Sequence, residues 1–281
     1  MLVHLDTDIG TNPDDACALA MLLGWPGARV AAVTTTDDPD GGRAAEARRL
    51  LGLARRDDVP VRSGSDPAAV DVLAASLDAG AAVVAVGPLT NLAALAAAHP
   101  GVLDRARLVV MGGWVRALDA DLPGWGPERD WNVQRDPSAA EAVAAAGADL
   151  TLVTLADTLR THLRGRDLAR LGAAGPVGEL LAAQAVAYAA RLGQAALARR
   201  HDGLPDDLLL FLHDPLTCAV ALGWDGVTVE RRRLRAAFSG GLLTWEPDAA
   251  APSVRVVTGV DGPAFREAWL AAVERLVPER P

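Results

Sequence analysis

Short, uninterrupted apolar runs alternate along the first half of the chain with longer stretches whose apolar residues recur at helical spacing. Leu2 to Leu5, Val30 to Thr34, Val59 to Arg62, Ala81 to Val86, Arg107 to Met111 and Leu150 to Val153 have the length and continuity of strands. Between them, Ala16 to Leu23, Ala44 to Leu53, Leu89 to Ala98 and Ser138 to Ala145 follow the helical period. Strands buried on both faces of a parallel sheet show continuous rather than alternating apolar runs. Their alternation with helices of about ten residues predicts an α/β protein with a doubly wound, mostly parallel sheet and helices on both faces. In that architecture ligands gather at the C-terminal ends of the strands.

The second half is patterned differently. Val177 to Arg200 has the periodicity of one long helix, and Leu204 to Leu222 that of another, begun by Pro205-Asp206-Asp207. Val227 to Ala237, Leu242 to Trp245 and Val254 to Val257 are expected strands, and Pro263 to Leu276 closes as an amphipathic helix. No internal repeat, low-complexity linker or sharp boundary divides the chain, so residues 1–281 are expected to form one domain.

Composition narrows the chemistry. Of 281 residues, 51% are apolar and 22% charged, the balance of a globular protein with a sizeable core. The net charge of −9 argues against a nucleic-acid partner, and Arg231-Arg232-Arg233 is better taken as a solvated strand or turn. Lysine is absent, which excludes Schiff-base chemistry and a phosphate-binding P-loop. Cys17 and Cys218 lie in apolar segments. With no signal peptide or membrane-spanning run in view, they are expected to be buried thiols in the reducing cytoplasm.

Polar clusters fall where strands should end. Asp6-Thr7-Asp8-Ile9-Gly10-Thr11-Asn12-Pro13-Asp14-Asp15 places four carboxylates directly after the first strand. They repel one another and favour a bound cation, and calcium takes more carboxylate and carbonyl oxygens than magnesium does. Asn12-Pro13-Asp14-Asp15 is also an ordinary helix start, with Asn12 as N-cap and acids in the first turn. That does not account for Asp6 and Asp8. Val86-Gly87-Pro88-Leu89-Thr90-Asn91 offers a strand-end carbonyl, and Met111-Gly112-Gly113 lets a ligand approach the backbone. Asp130 and Asn132 are expected on one side of an extended segment, ahead of a helix begun by Asp136-Pro137. His213-Asp214-Pro215 follows an apolar run, and His4, His99, His162 and His201 are given structural roles.

Taken together, these residues resemble the inosine-uridine-preferring nucleoside hydrolases. Asp-Thr-Asp-Ile-Gly…Asp-Asp-Ala-Cys-Ala-Leu is similar to the family signature. Gly87-Pro88-Leu89-Thr90-Asn91-Leu92, Met111-Gly112-Gly113, Trp131-Asn132 to Asp136-Pro137, and His213-Asp214-Pro215 follow in the family's order. The resemblance spans Leu2 to about Ala221. It implies the family's sheet and one Ca2+ ion at the base of a ribose pocket, held by Asp8, Asp15, the Val86 carbonyl and Asp214. It also implies that Asp8 deprotonates the attacking water, that Asp14, Asp130 and Asn132 bind ribose hydroxyls, and that His213 is the leaving-group acid. Asp6 would support the loop rather than bind metal. The expected substrate is a small-molecule ribonucleoside, and the expected assembly is a homodimer or homotetramer without membrane attachment.

The chain departs from the family pattern in four places. The loop between Gly10 and Asp14 is longer, and Asp130 replaces a common Glu, shortening its reach by one methylene. An acid near the metal after Thr34-Thr35-Thr36 is expected to be Asp38, with Asp37 as the alternative. Ser63 to Gly80 lacks the His-Gly loop that often closes over substrate.

The expected reaction passes through an oxocarbenium-like ribose, as glycoside hydrolysis does. A calcium-bound ribose- or nucleoside-binding protein without turnover is the alternative that the missing loop motivates. A haloacid-dehalogenase-type phosphatase would share Asp-x-Asp after the first strand, but it needs a later basic residue, commonly Lys. For base recognition the candidates are Trp114, Trp125, Trp131, His201 and Trp245.

Overall fold

The computed structural model describes residues 1–277 and is built on a nine-stranded sheet. The first half winds as β1 (Leu2–Thr7), α1 (Pro13–Gly24), β2 (Arg29–Thr35), α2 (Gly42–Leu53), β3 (Val61–Ser63), α3 (Ala68–Asp78) and β4 (Ala82–Ala85). It continues through α4 (Thr90–Ala98), β5 (Arg107–Met111), α5 (Trp131–Gln134), α6 (Pro137–Ala145) and β6 (Asp149–Val153). The second half adds α7 (Leu155–Thr158), β7 (His162–Arg164), α8 (Leu168–Ala173), α9 (Gly175–Leu192), α10 (Gln194–Ala198) and β8 (Leu208–Phe211). It ends with α11 (His213–Ala221), β9 (Val227–Ser239), β10 (Leu242–Pro247), β11 (Ser253–Val260) and α12 (Gly262–Glu274).

The sheet order is β10-β9-β11-β6-β5-β4-β1-β2-β3, and every pairing from β3 across to β11 is parallel. Only β9, paired antiparallel to β11 and to β10, breaks the run. Successive residues of the central strands feed opposite cores. Val84 and Val109 pack toward α1, α9, α11 and α12, whereas Val83, Ala85, Leu108 and Val110 pack toward α3, α4 and α6. This two-sided burial is why those strands show no polar alternation. The expected doubly wound α/β sheet is the fold observed.

Three local expectations are overturned. Leu208–Phe211, expected within a helix, is a strand paired antiparallel with β7. A four-residue apolar run carries no period that separates helix from strand, and pairing across the chain decides it. The long helix expected over Val177–Arg200 is interrupted at Gly193, whose φ of 65° is left-handed and caps α9. Asp130 to Asn132 is not extended: Trp131–Gln134 forms a helical turn.

Helix α1 carries Asp14 and Asp15 at its N-terminus, so its packing positions the acidic loop. Trp269 of α12 is fully buried against it and donates its indole N–H to the Cys17 carbonyl at 3.1 Å. Gly24 at the other end of α1 abuts α12 so closely that a Cβ would fall 1.9 Å from the Ala272 carbonyl oxygen. Trp269→Ala should therefore cost about 3–5 kcal/mol of folding stability, the range for deleting a buried large aromatic. Urea titration checks this, and a cost below about 1 kcal/mol would mean that α12 does not anchor α1.

Candidate active site

The strand order reverses at β1. The chain proceeds from β1 to β2 and β3 on one side, then returns to lay β4 on the other. A doubly wound sheet opens a crevice at such a switch point, beyond the C-terminal ends of the strands. Here that crevice lies past Thr7 of β1 and Ala85 of β4, where Asp8 and Val86 stand. A cavity of about 280 Å³ occupies it.

Asp8, Asp14, Asp15, Val86, Asp130, Asn132, His213 and Asp214 all line this cavity. They arrive from separate elements: the β1–α1 turn, the end of β4, the α5 turn and the start of α11. Carboxylate oxygens of Asp14, Asp15 and Asp214 lie within 4.8 Å of one another, and all three residues are buried. Thr7 donates its hydroxyl to Asp15, but Asp14 Oδ1 has no hydrogen-bond partner among the described residues. Asp130 accepts the Gly113 N–H at 2.7 Å through Oδ2, while its Oδ1 is equally without a partner. Gly112, at φ 133°, makes that approach possible, since a Cβ would stand 2.8 Å from Asp130 Oδ1. Asn132 donates to the carbonyls of Val86 at 3.0 Å and Met111 at 3.2 Å, bracing two strand ends.

Burial and crowding push these acids toward their neutral forms. Burial raises Asp14 to about 7, helped by the charge of Asp8. Burial lifts Asp15 well above the usual carboxylate range, helped by the charges of Asp8 and Asp14, and lifts Asp214 likewise, helped by Asp14, Asp15 and Asp8. Asp130, without a close anionic neighbour, is raised to about 7 by burial alone. Asp8 is also raised by burial, with Arg43 acting against it. A divalent ion removes this penalty, and an all-oxygen set of carboxylates beside a carbonyl suits a hard cation. Three converging buried acids and a partnerless Asp14 oxygen fit such an ion.

Asp6 stands behind the cavity. It accepts from Thr34 at 2.5 Å and from Asn91 at 2.8 Å, and burial pushes it up to about 7. It thereby ties β1 to β2 and α4, in line with a supporting role. Asp38 does not approach the cavity. Its carboxylate accepts from the Thr35 hydroxyl at 2.7 Å and the Arg43 and Ala44 amides at 3.0 Å, capping α2 instead. Asp37 turns outward to Arg135. Asn12 holds the N-cap position of α1 but makes no capping bond; its side-chain oxygen is partnerless and the residue lines the cavity.

His213 packs its ring 5.4 Å from Phe211, and its Nδ1 lies 2.7 Å from the Thr158 hydroxyl. Burial lowers it to about 3, so the imidazole is neutral at physiological pH. Among the aromatic candidates, Trp131 lines the cavity, whereas Trp245 is buried in the core and Trp114 and Trp125 pack against it. Met111, Thr11, Arg129 and Leu155 complete the wall. Sequence reasoning passed over Arg129 and Leu155 because neither belongs to an acidic cluster or a strand-end motif, and over Thr11 because it carries no charge within the acidic run.

Residues 66–267 match the family model described as inosine-uridine preferring nucleoside hydrolase. The chain belongs to that family. It is accordingly an N-ribosyl hydrolase. The pyrimidine-specific ribonucleoside hydrolase RihA of Klebsiella pneumoniae is 30% identical over 262 residues, covering 78% of this chain and 79% of that protein. RihA of Escherichia coli O9:H4 is 30% identical over 223 residues, or 64% and 68% of the two chains. Among solved structures, the purine-preferring ribonucleoside hydrolase of Gardnerella vaginalis superposes with a TM-score of 0.83 at 22% identity, over 99% of both chains. A plant nucleoside hydrolase does so with 0.79 at 24% identity, again over 99% of both. These two share the hydrolase's fold.

The raised acids give the ion-free hydrolase a defined pH dependence. Asp6, Asp14 and Asp130 titrate near 7 when folded but near about 3.9 when unfolded. Between those values the folded chain binds more protons, so stability present at low pH is lost as pH rises through about 7. In chelator, the urea midpoint should fall between about pH 5 and pH 8, and less steeply in Asp130→Asn. Identical slopes for the two proteins would mean that Asp130 is not held neutral by burial.

Proposed function

We propose that this hydrolase cleaves the N-glycosidic bond of ribonucleosides to ribose and free base with one calcium ion held by Asp8, Asp15, Asp214 and the Val86 carbonyl. The observation that supports the reading is the convergence of the buried Asp14, Asp15 and Asp214 carboxylates within 4.8 Å, in a strand-end cavity that Asp8 and Val86 also line. The Val86 carbonyl already accepts from Asn132, yet a carbonyl oxygen has a second lone pair to offer. When bound, the ion supplies Lewis acidity and orders the oxygens around it.

The side chains divide the remaining work. Asp8 takes the proton of the attacking water, general base catalysis worth about 10²–10⁴-fold. Asp14 and Asp130 hold ribose hydroxyls through the carboxylate oxygens that lack other partners, and the negative charge they carry above about pH 7, or once the ion is bound, would stabilise the cationic sugar. Asn132, already donating to Val86 and Met111, presents its side-chain oxygen to the same sugar. Water adds to the anomeric carbon as the bond to the base nitrogen breaks; the water's proton passes to Asp8, and the base nitrogen takes up a proton from solvent to leave as the neutral base. His213 assists that departure as a neutral ring. With the Thr158 hydroxyl donating to Nδ1, Nε2 carries the hydrogen offered to the base. Free, buried Cys17 and Cys218 support a reducing, cytoplasmic setting.

Chelation should abolish release of ribose from a panel of purine and pyrimidine ribosides, and calcium should restore it better than magnesium. Full activity in metal-free protein would overturn the ion's role, and tight ribose binding without turnover would favour a binding protein instead.

The role of His213 separates on two substrates. A natural nucleoside has a poor nitrogen leaving group, whereas p-nitrophenyl riboside releases a stable phenolate unaided. His213→Ala should lose about 10²-fold or more on the nucleoside and keep most of its rate on the activated riboside. Equal losses on both would assign His213 to positioning Asp214 or the ribose.

A further inference from the structure

Strand β10 is the outermost strand of the sheet, and such a strand leaves a row of backbone N–H and C=O groups without a partner strand. Here that row is taken up by the two segments that hold Asp130. Gln134, the last residue of α5, lays its side-chain amide against the edge. Its Nε2 donates to the Leu243 carbonyl at 2.8 Å, and its Oε1 accepts the Leu243 N–H at 3.1 Å. Two residues further along the same edge, the Trp245 N–H donates to the Trp114 carbonyl at 2.8 Å. Leu243 and Trp245 are themselves buried, in the core cluster that also contains Val133 of α5.

Both fastenings lead to one carboxylate. Trp114 follows Gly113, whose N–H donates to Asp130 Oδ2. Gln134 closes the turn that Asp130 begins, its backbone N–H donating to the Asp130 carbonyl at 2.9 Å. Asp130 is thus held by its backbone through Gln134 and by its side chain through Gly113, and both holders are pinned to β10. A helix of four residues gains little stability from its own hydrogen bonds. The Gln134 amide joins this one to a strand 109 residues away in sequence, and two opposed bonds to one peptide unit fix direction as well as distance.

We propose that β10 is the backing strand of the ribose pocket and that Gln134 is a positioning residue, setting the Asp130 carboxylate against the sugar through its clamp on Leu243. Gln134 stays outside the cavity wall and touches no substrate. The inference rests on the reading of Asp130 as a holder of ribose hydroxyls. Asp130 Oδ1, the oxygen without a partner among the described residues, is the group whose aim the clamp controls. A displaced holder loses its own hydroxyl and leaves the other sugar contacts in place, so the loss falls on substrates that carry that hydroxyl.

The test compares p-nitrophenyl riboside with analogues that each lack one sugar hydroxyl. It uses the calcium-loaded full chain, at a temperature where circular dichroism shows each variant folded. Asp130→Ala identifies the hydroxyl that Asp130 holds, because its loss of kcat/KM should be smallest on the analogue without it. Gln134→Leu should lower kcat/KM on the full riboside about 10-fold and spare that same analogue. In an Asp130→Ala background, Gln134→Leu should cost less than about two-fold more, since the group it aims is gone. Gln134→Glu keeps the acceptor for the Leu243 N–H and loses the donor to its carbonyl. It should show the same pattern, and it carries the test where Gln134→Leu does not fold. A folded Gln134→Leu with the wild-type rate, equal losses on every analogue, or losses that multiply in the double variant would overturn the clamp. If Asp130→Ala loses most activity while the Gln134 variants match wild type, the clamp falls and the reading of Asp130 stands. If Asp130→Ala matches wild type on every substrate, that reading falls and takes the clamp with it.

Discussion

Carboxylates packed together away from water raise one another's proton affinity, and the site is organised around that conflict. Asp14, Asp15 and Asp214 each sit in the first turn of a helix, where the N-terminal end of the dipole favours negative charge. This offsets only part of the cost, as the upward push on all three shows. The rest of the structure serves to keep them close regardless. Trp269 fastens α1, α11 packs on the same face of the sheet, and Asp6 ties the strand beneath to its neighbours. A scaffold that forces such acids together has in effect stored affinity for protons or a cation.

The switch point explains why these residues meet at all. Asp8 leaves β1, the first strand laid down, and Val86 leaves β4, which returns to pair beside it. Neither is near the other in sequence, yet the topology sets their strand ends side by side. Asn132 then bridges the Val86 and Met111 carbonyls, so the ends of β4 and β5 are held at one height. The strand-end carbonyls are thereby fixed, and the charged walls come from turns and helix starts that the sheet positions.

Much of this was legible in the chain itself. Each acid that lines the cavity follows an apolar strand or opens a helix, and those patterns are local. The first half, with strands buried on both faces, announced itself by unbroken apolar runs. Legibility failed where local signals are neutral. Leu208–Phe211 is as apolar as a helix segment, and only its pairing with His162–Arg164 makes it a strand. Asn12 stands where a cap belongs, yet its side chain is turned to the cavity rather than to the helix amides. Asp38 lies close in sequence to the site but is consumed by the amides of α2. The Asp37–Arg135 contact joins two exposed residues across 98 positions, which no periodicity encodes.

The distance along the chain between Asp15 and Asp214 has a consequence for biosynthesis. A ribosome delivers the N-terminal acids early, when β1 and α1 are synthesised, but the third member of the cluster only after some two-thirds of the chain has followed. Helix α11, which carries it, packs against α1 and β5, so its docking joins both ends of the synthesis in time. Contacts of such separation form late and slowly. An incomplete or truncated chain thus exposes an acidic loop without the partner that finishes it. Assembly of the acidic cluster therefore waits until about three-quarters of the chain has been made, when Asp214 joins the N-terminal acids.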